Sequence, residues 1–286
     1  MIGWNEEPMV FHCEREQLVG ILHRGANPDA RLGVVILVGG PQYRVGSHRQ
    51  FVLMARDLAA AGYPVFRFDY RGIGDADGEP RTFESVDDDL RAAIAAFERA
   101  VPGLSGVVLW GLCDAASAIM MCATPPLVMG KVVVNPWVRT PASEARAYVR
   151  HYYLRRVLQR DFWRKLRSGA MDVRMAAQQF IQALRRAAAP TGKAPDFAAS
   201  YIDRMLAGTR KFHGAVLVLL SGRDLTAREF DALHTSSPDW RRAMRLPAVR
   251  FVRIENADHT FSDRRMLDTA TRATINWLGG LSTVQE

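Results

Sequence analysis

The chain has 286 residues, 48% of them hydrophobic and 24% charged, which is the balance of a folded globular protein with one sizeable core and not of a disordered or fibrous chain. Its three cysteines, Cys13, Cys113 and Cys122, show no CxxC spacing and no histidine pair beside them, which argues against a disulfide framework and against a zinc site. The net charge of +8 is unevenly placed: Lys131 to Lys211 holds 17 Lys and Arg against 5 Asp and Glu, an excess of 12 that leaves the rest of the chain at −4.

The first residues carry Glu6, Glu7, Glu14, Arg15 and Glu16 ahead of any long apolar run, unlike a signal peptide. No stretch reaches the roughly 18 uncharged apolar residues of a membrane span. A cytoplasmic chain without stable membrane insertion is therefore expected. Two short apolar runs, Met9 to His12 and Leu18 to Leu22, flank Glu14-Arg15-Glu16 and predict a β-hairpin or meander. Gly33 to Val38 is a continuous apolar run of the kind buried on both faces of a sheet, and it ends in Gly39-Gly40-Pro41.

Phe51, Val52, Met54, Ala55, Leu58 and Ala59 then recur at helical spacing until Gly62, and Val65 to Phe68 reads as the next strand. A second helix is predicted to begin at Ser85, with Asp87, Asp88 and Asp89 in its first turn facing the positive end of the helix dipole, and to end near Gly103. Further strands are predicted at Val107 to Trp110, Val132 to Val134, Val216 to Leu220 and Val249 to Ile254. Strands alternating with helices specify βαβ units, so the expected fold is α/β with a mostly parallel, doubly wound sheet.

Between Pro141 and about Lys211 the alternation stops. Apolar residues from Tyr148 to Leu166 follow helical spacing among many arginines, a second helical piece covers Val173 to Ala188, and a third short helix is expected over Asp196 to Leu206. This predicts a core of residues 1–136 and 212–286 interrupted by a basic helical insertion, 137–211, that is too long for a plain connection.

At the end of the Val107 strand stands Gly111-Leu112-Cys113-Asp114-Ala115. A nucleophile raised above a strand end needs a sharp turn into a helix, which admits only small residues two before and two after it, and Gly111 and Ala115 meet that need. A buried structural cysteine would look the same in isolation. The pattern resembles the nucleophile elbow of the α/β-hydrolase superfamily, with cysteine where serine is commoner and alanine where glycine is commoner. The resemblance spans most of Gly33 to Leu278 and implies an α/β-hydrolase fold whose insertion is a cap, or lid.

The same resemblance implies an acid and a histidine after later strands, in that order. Asp224 follows the Val216 strand and His259 follows the Val249 strand. His259 would take the proton of Cys113, and Asp224 would orient the imidazole. Alone, Asp224 is equally a helix cap and His259 a loop histidine; Asp258 is badly placed to serve as the acid because it adjoins His259. A helix start and a nearby histidine both favour the thiolate at Cys113. The implied oxyanion donors are the N–H of Asp114 and one from the loop after Val38, Gly40 first and Gln42 second, since Pro41 has no N–H. In Phe68-Asp-Tyr-Arg-Gly-Ile-Gly74, Asp69 and Arg71 are implied to be structural.

A Cys-Asp-His set resembles dienelactone hydrolases, which lack such a cap. A nearer likeness is to the bacterial family called exosortase A system-associated hydrolase 1, through Gly39 to Phe51, the cysteine elbow, and Asn135-Pro-Trp-Val-Arg139 with the arginine-rich region after it. That family is associated with extracellular polysaccharide loci.

The expected activity is hydrolysis of an ester or thioester through an acyl-cysteine. The alternatives are acyl transfer through the same intermediate and a non-catalytic binding subunit of this fold. Trp137 and Tyr152 are candidate lining residues of an acyl pocket, Arg44 and His48 are candidate substrate contacts by position, and cap arginines could meet an anionic group of the substrate. A solvated basic face explains those arginines equally well. No dinucleotide fingerprint, phosphate loop or nucleic-acid module is present, so no cofactor, metal or nucleic acid is expected.

Overall fold

A computed structural model describes residues 5–40, 42–139 and 200–282. The chain divides into two compact units, Met1–Val138 with Ala199–Glu286, and Arg139–Ala198. Almost all of the second, with Tyr152 and the first two of the expected cap helices, lies outside the described residues.

Eight strands form one sheet: β1 (Glu6–Cys13), β2 (Glu16–His23), β3 (Leu32–Leu37), β4 (Val65–Phe68), β5 (Gly106–Leu112), β6 (Val128–Val134), β7 (Ala215–Ser221) and β8 (Val249–Ile254). Their order is β1-β2-β4-β3-β5-β6-β7-β8, with β1 and β2 antiparallel at one edge and β4 through β8 parallel. The described helices are α1 (Gln50–Ala60), α2 (Asp87–Ala100), α3 (Asp114–Met121), α4 (Tyr201–Lys211), α5 (Leu225–Ser236), α6 (Pro238–Met244) and α7 (Arg264–Ser282).

The side-chain alternation of a strand divides the core in two. Val34 and Ile36 of β3 point into one cluster with Phe51, Leu58 and Leu267, from α1 and α7; Val35 and Leu37 point into the other with Leu90, Phe97, Ile119 and Met205, from α2, α3 and α4. Both faces are covered, so the central strands are apolar along their whole length.

Two elements differ from expectation. The helix predicted at Ser85 begins at Asp87, because Phe83–Ser85 forms a 3-10 turn in which the Ser85 hydroxyl donates to the Thr82 carbonyl. Asp89 serves less as a helix-end charge than as partner of the fully buried Arg71, which donates to it from its backbone N–H and from two guanidinium nitrogens. The last helix expected in the insertion lies five residues further on, at Tyr201–Lys211, where the Ser200 hydroxyl caps it by accepting from Asp203 N–H; it packs against α3 and belongs with the sheet.

Candidate active site

Strand β5 delivers Cys113 at its C-terminal end, and α3 begins at the next residue. Cys113 has φ 63° and ψ −123°, a backbone conformation that costs a side-chain-bearing residue roughly 1–3 kcal/mol and persists only where its surroundings enforce it. The surroundings are visible. Cys113 N–H donates to the Val134 carbonyl (2.9 Å), and its own carbonyl accepts from Ser117 N–H and Trp137 N–H (3.2 Å each). A Cβ on Gly111 would come within 2.8 Å of the Ala115 carbonyl carbon, so the turn closes only over a glycine there. The thiol is left half-buried at the start of α3.

Asp224 and His259 reach the same place from the ends of β7 and β8. Asp224 caps α5, its two carboxylate oxygens accepting from Thr226 N–H (3.2 Å) and Ala227 N–H (3.1 Å), and it also accepts from His259 Nδ1 (2.9 Å). The cap and the histidine partner are thus one residue. Burial alone would push the Asp224 carboxyl up, but the His259 hydrogen bond and charge, with the two helix N–H groups, hold it below the usual carboxylate range.

The bond to Asp224 is the main reason His259 is pushed up to about 10 from its ordinary 6.5; the neighbouring Cys113 adds to this and burial opposes it. With Nδ1 on the carboxylate, Nε2 is the ring nitrogen available to Cys113. Between pH 6.5 and about 10 the folded chain holds a proton that the unfolded chain has released, so the ring's stabilising contribution is complete below 6.5 and is lost as pH rises through about 10. Thermal unfolding measured across that range is expected to show Tm falling with pH, and His259→Gln to flatten much of the slope. An unchanged slope in the variant would contradict the Asp224–His259 ion pair.

A second pair ties these loops together. Asn135, at φ 46° after β6, accepts Ser221 N–H on its Oδ1 (2.8 Å) and donates from Nδ2 to the Ser221 hydroxyl (3.0 Å) at the end of β7. The resemblance drew attention to Asn135 only as part of a run; its partner, Ser221, carried no signal in the sequence.

Cys113, His259 and Asp114 line a cavity of about 420 Å³, together with Gly39, Gly40 and Gln42 of the loop after β3 and the apolar side chains Phe51, Phe83, Leu112 and Trp137. A larger depression of about 870 Å³, at the opposite ends of the strands beside Arg31 and Tyr63, has no cysteine or histidine in its wall. Of the residues expected to contact substrate, Trp137 lines the cavity and Tyr152 lies outside the described residues.

Arg44 and His48, expected by position to contact substrate, are not among the residues that line this cavity. The Arg44 guanidinium is engaged by Asp69 and by Asp75 (2.6 Å), and its N–H also donates to Asp69 (2.6 Å), so it pins its own loop. His48 sits with Arg49 in a left-handed 3-10 turn (φ 53° and 61°), in the field of Asp258. Asp258 itself closes a turn by accepting the N–H (3.0 Å) and hydroxyl of Ser262. Gly40, the first expected oxyanion donor, lines the cavity, and its N–H donates to the Asp114 carboxylate (2.8 Å). The sequence marks Phe51 only as a core residue of the first helix and Phe83 not at all, because an aromatic residue near a helix start carries no mark of a cavity that distant parts of the chain complete.

Among the described residues no group of His, Cys, Asp and Glu is placed to hold a metal ion, and no helix is long and apolar enough to cross a membrane.

Known proteins share this arrangement of strands. The Pyrococcus furiosus esterase Pf2001 superposes with a TM-score of 0.64 at 15% identity, covering 97% of this chain and 93% of that one. Est1E from Butyrivibrio proteoclasticus, a structure with ferulic acid bound, gives 0.61 at 15% identity over 97% and 100% of the two chains. Proline iminopeptidase from Mycobacterium smegmatis gives 0.61 at 15% identity over 98% and 100%. At these identities the likeness is one of fold. The human protein ABHD12B is 32% identical over 153 residues, 48% of this chain and 40% of that protein, so the chain matches well under half of that relative's length. The model of the Alpha/beta hydrolase family matches residues 34–272, from β3 into α7, and the chain belongs to that family.

Proposed function

We propose that the chain hydrolyses an ester or thioester through a covalent acyl-cysteine at Cys113. The observation that carries this reading is the Asp224 carboxylate on Nδ1 of a histidine that shares one cavity with a strained cysteine at a helix start. His259, which the Asp224 carboxylate favours as the cation, is the base that takes the Cys113 thiol proton, so that Sγ attacks as the thiolate.

In the first half-reaction Cys113 Sγ bonds to the acyl carbon and the carbonyl π pair moves to oxygen. Asp114 N–H, which directly follows the nucleophile at the start of α3, is the main-chain donor this reading assigns to that oxyanion. The intermediate collapses, the bond to the alcohol or thiol breaks, and His259 gives that group its proton. In the second half-reaction His259 takes a proton from water as the water oxygen attacks the thioester, and Cys113 leaves as thiolate while the acid departs.

The wall of Phe51, Phe83, Leu112 and Trp137 favours an apolar acyl group of modest size. Phe83 also packs edge-on against Tyr201 of α4 (5.3 Å between centroids), so it is held rigidly. Phe83→Leu and Phe83→Ala are expected to shift preference toward longer acyl chains, raising the octanoyl-to-acetyl ratio of kcat/KM by about 10-fold. A chain-length series of p-nitrophenyl esters measures this, and an unmoved ratio would place the acyl group elsewhere.

The reading as a whole is tested by intact mass spectrometry after incubation with a panel of acyl esters and acyl thioesters. An adduct that maps to Cys113 and decays with product release is expected; turnover without any adduct, preserved in Cys113→Ala, would overturn it.

A further inference from the structure

The side chain after the nucleophile has a role of its own. Asp114 Oδ2 accepts Gly40 N–H (2.8 Å) from the loop after β3, while Oδ1 accepts the N–H of Ala115 (2.9 Å) in the first turn of α3. One carboxylate therefore bridges the two chain segments that form the floor and wall of the cavity, both of which line it. The packing is built around this bridge: a Cβ on Gly39 would overlap Asp114 Oδ1 and come within 2.9 Å of the Ala115 nitrogen. Gly39 is thus a glycine because the carboxylate passes through the space a side chain would fill. A carboxylate beside the nucleophile disfavours the negative charge that develops on the substrate oxygen during attack. Burial pushes the Asp114 carboxyl up even against the bonds from Gly40 and Ala115, so its presence is not explained by solvation.

We propose that Asp114 is a positioning residue of the reaction at Cys113, its side chain acting as a strut that sets the Gly39-Gly40 loop against the elbow and fixes where the reacting carbonyl sits. The proposal rests on Cys113 as nucleophile. It goes beyond that reading by giving the Asp114 side chain, and not only its N–H, a part in acylation, and by assigning Gly40 N–H to Asp114 in the resting site. Alkylation of Cys113 needs no oxyanion site, whereas acylation does, so the strut should matter to one and not to the other.

The test compares wild type, Asp114→Ala and Asp114→Asn in two reactions of Cys113: alkylation by iodoacetamide and acylation by p-nitrophenyl butyrate, both followed by intact mass, with steady-state kcat and KM for the ester. Asp114→Ala is expected to slow acylation and lower kcat by about 10–100-fold, the effect of misplacing a reacting group by about an ångström, while alkylation and KM change by less than about 3-fold. Asp114→Asn keeps an acceptor oxygen for Gly40 N–H and is expected to recover much of the loss. An acylation rate within about 2-fold of wild type in Asp114→Ala would overturn the strut. So would a parallel fall of alkylation and acylation in both variants, which marks a merely structural residue. Failure of the nucleophile reading is distinguishable, because it leaves Cys113→Ala with full turnover.

Discussion

Cys113→Ala is expected to reduce turnover of an acyl ester by about 10³-fold or more, and to abolish the covalent adduct, because removing a nucleophile leaves only binding and oxyanion stabilisation. His259→Ala should fall to a similar level, and the double variant should be little worse than either alone, since the two act as a unit. Cys113→Ser is the more discriminating change. A hydroxyl cannot be ionised beforehand, so the serine must lose its proton during attack to a histidine that Asp224 favours as the cation. Turnover well below wild type but above Cys113→Ala is the expected order, measured as kcat/KM at several pH values. Full activity in Cys113→Ala would remove Cys113 from the reaction.

Asp224 gives the second large effect, and it separates into two parts. Asp224→Asn keeps side-chain acceptance at the start of α5, so the cap itself should be largely retained, while the substitution removes the charge that fixes the His259 tautomer and stabilises its cation. A fall in kcat of about 10³–10⁴-fold is expected, with Tm lowered near neutral pH by loss of the His259 ion pair and little changed above about pH 10, where that pair is already lost in the wild type. Asp224→Ala should lose the same activity and a further ~1 kcal/mol of stability from the missing cap, read by denaturant unfolding. Equal stability loss in both variants would mean that the histidine bond, not the cap, is what stabilises this loop.

The parts of the fold legible in the sequence were those where one physical demand dominates. Gly33 to Val38 had to be apolar throughout because both sheet faces are covered, and Gly111 and Ala115 had to be small because the elbow leaves no room; each leaves an unambiguous mark. The acid and the histidine were placed by their order after later strands, and the structure brings Asp224 and His259 into contact. What escaped depended on partners far away in sequence. Arg44 reads as a candidate substrate contact by position, and only the fold brings Asp69 and Asp75 to it. Ser85 had the chemistry of a cap but turned its hydroxyl back to Thr82. Gly40 had the right backbone for an oxyanion donor, and nothing in its own neighbourhood announced that the side chain of Asp114 would claim it. Arg139–Ala198 yields a helical pattern with a basic face, but that pattern does not say what the face meets.

The link between Asn135 and Ser221 has a consequence for how this chain could be altered. Residues 139–198 fall in sequence between β6 and β7, and the ends of those two strands are stitched directly to each other by two hydrogen bonds within the first unit. The strand ends that carry Cys113, Asp224 and His259 are thus registered within the first unit, and exchange of residues 139–198 for another segment is expected to leave the Asp224–His259 bond in place.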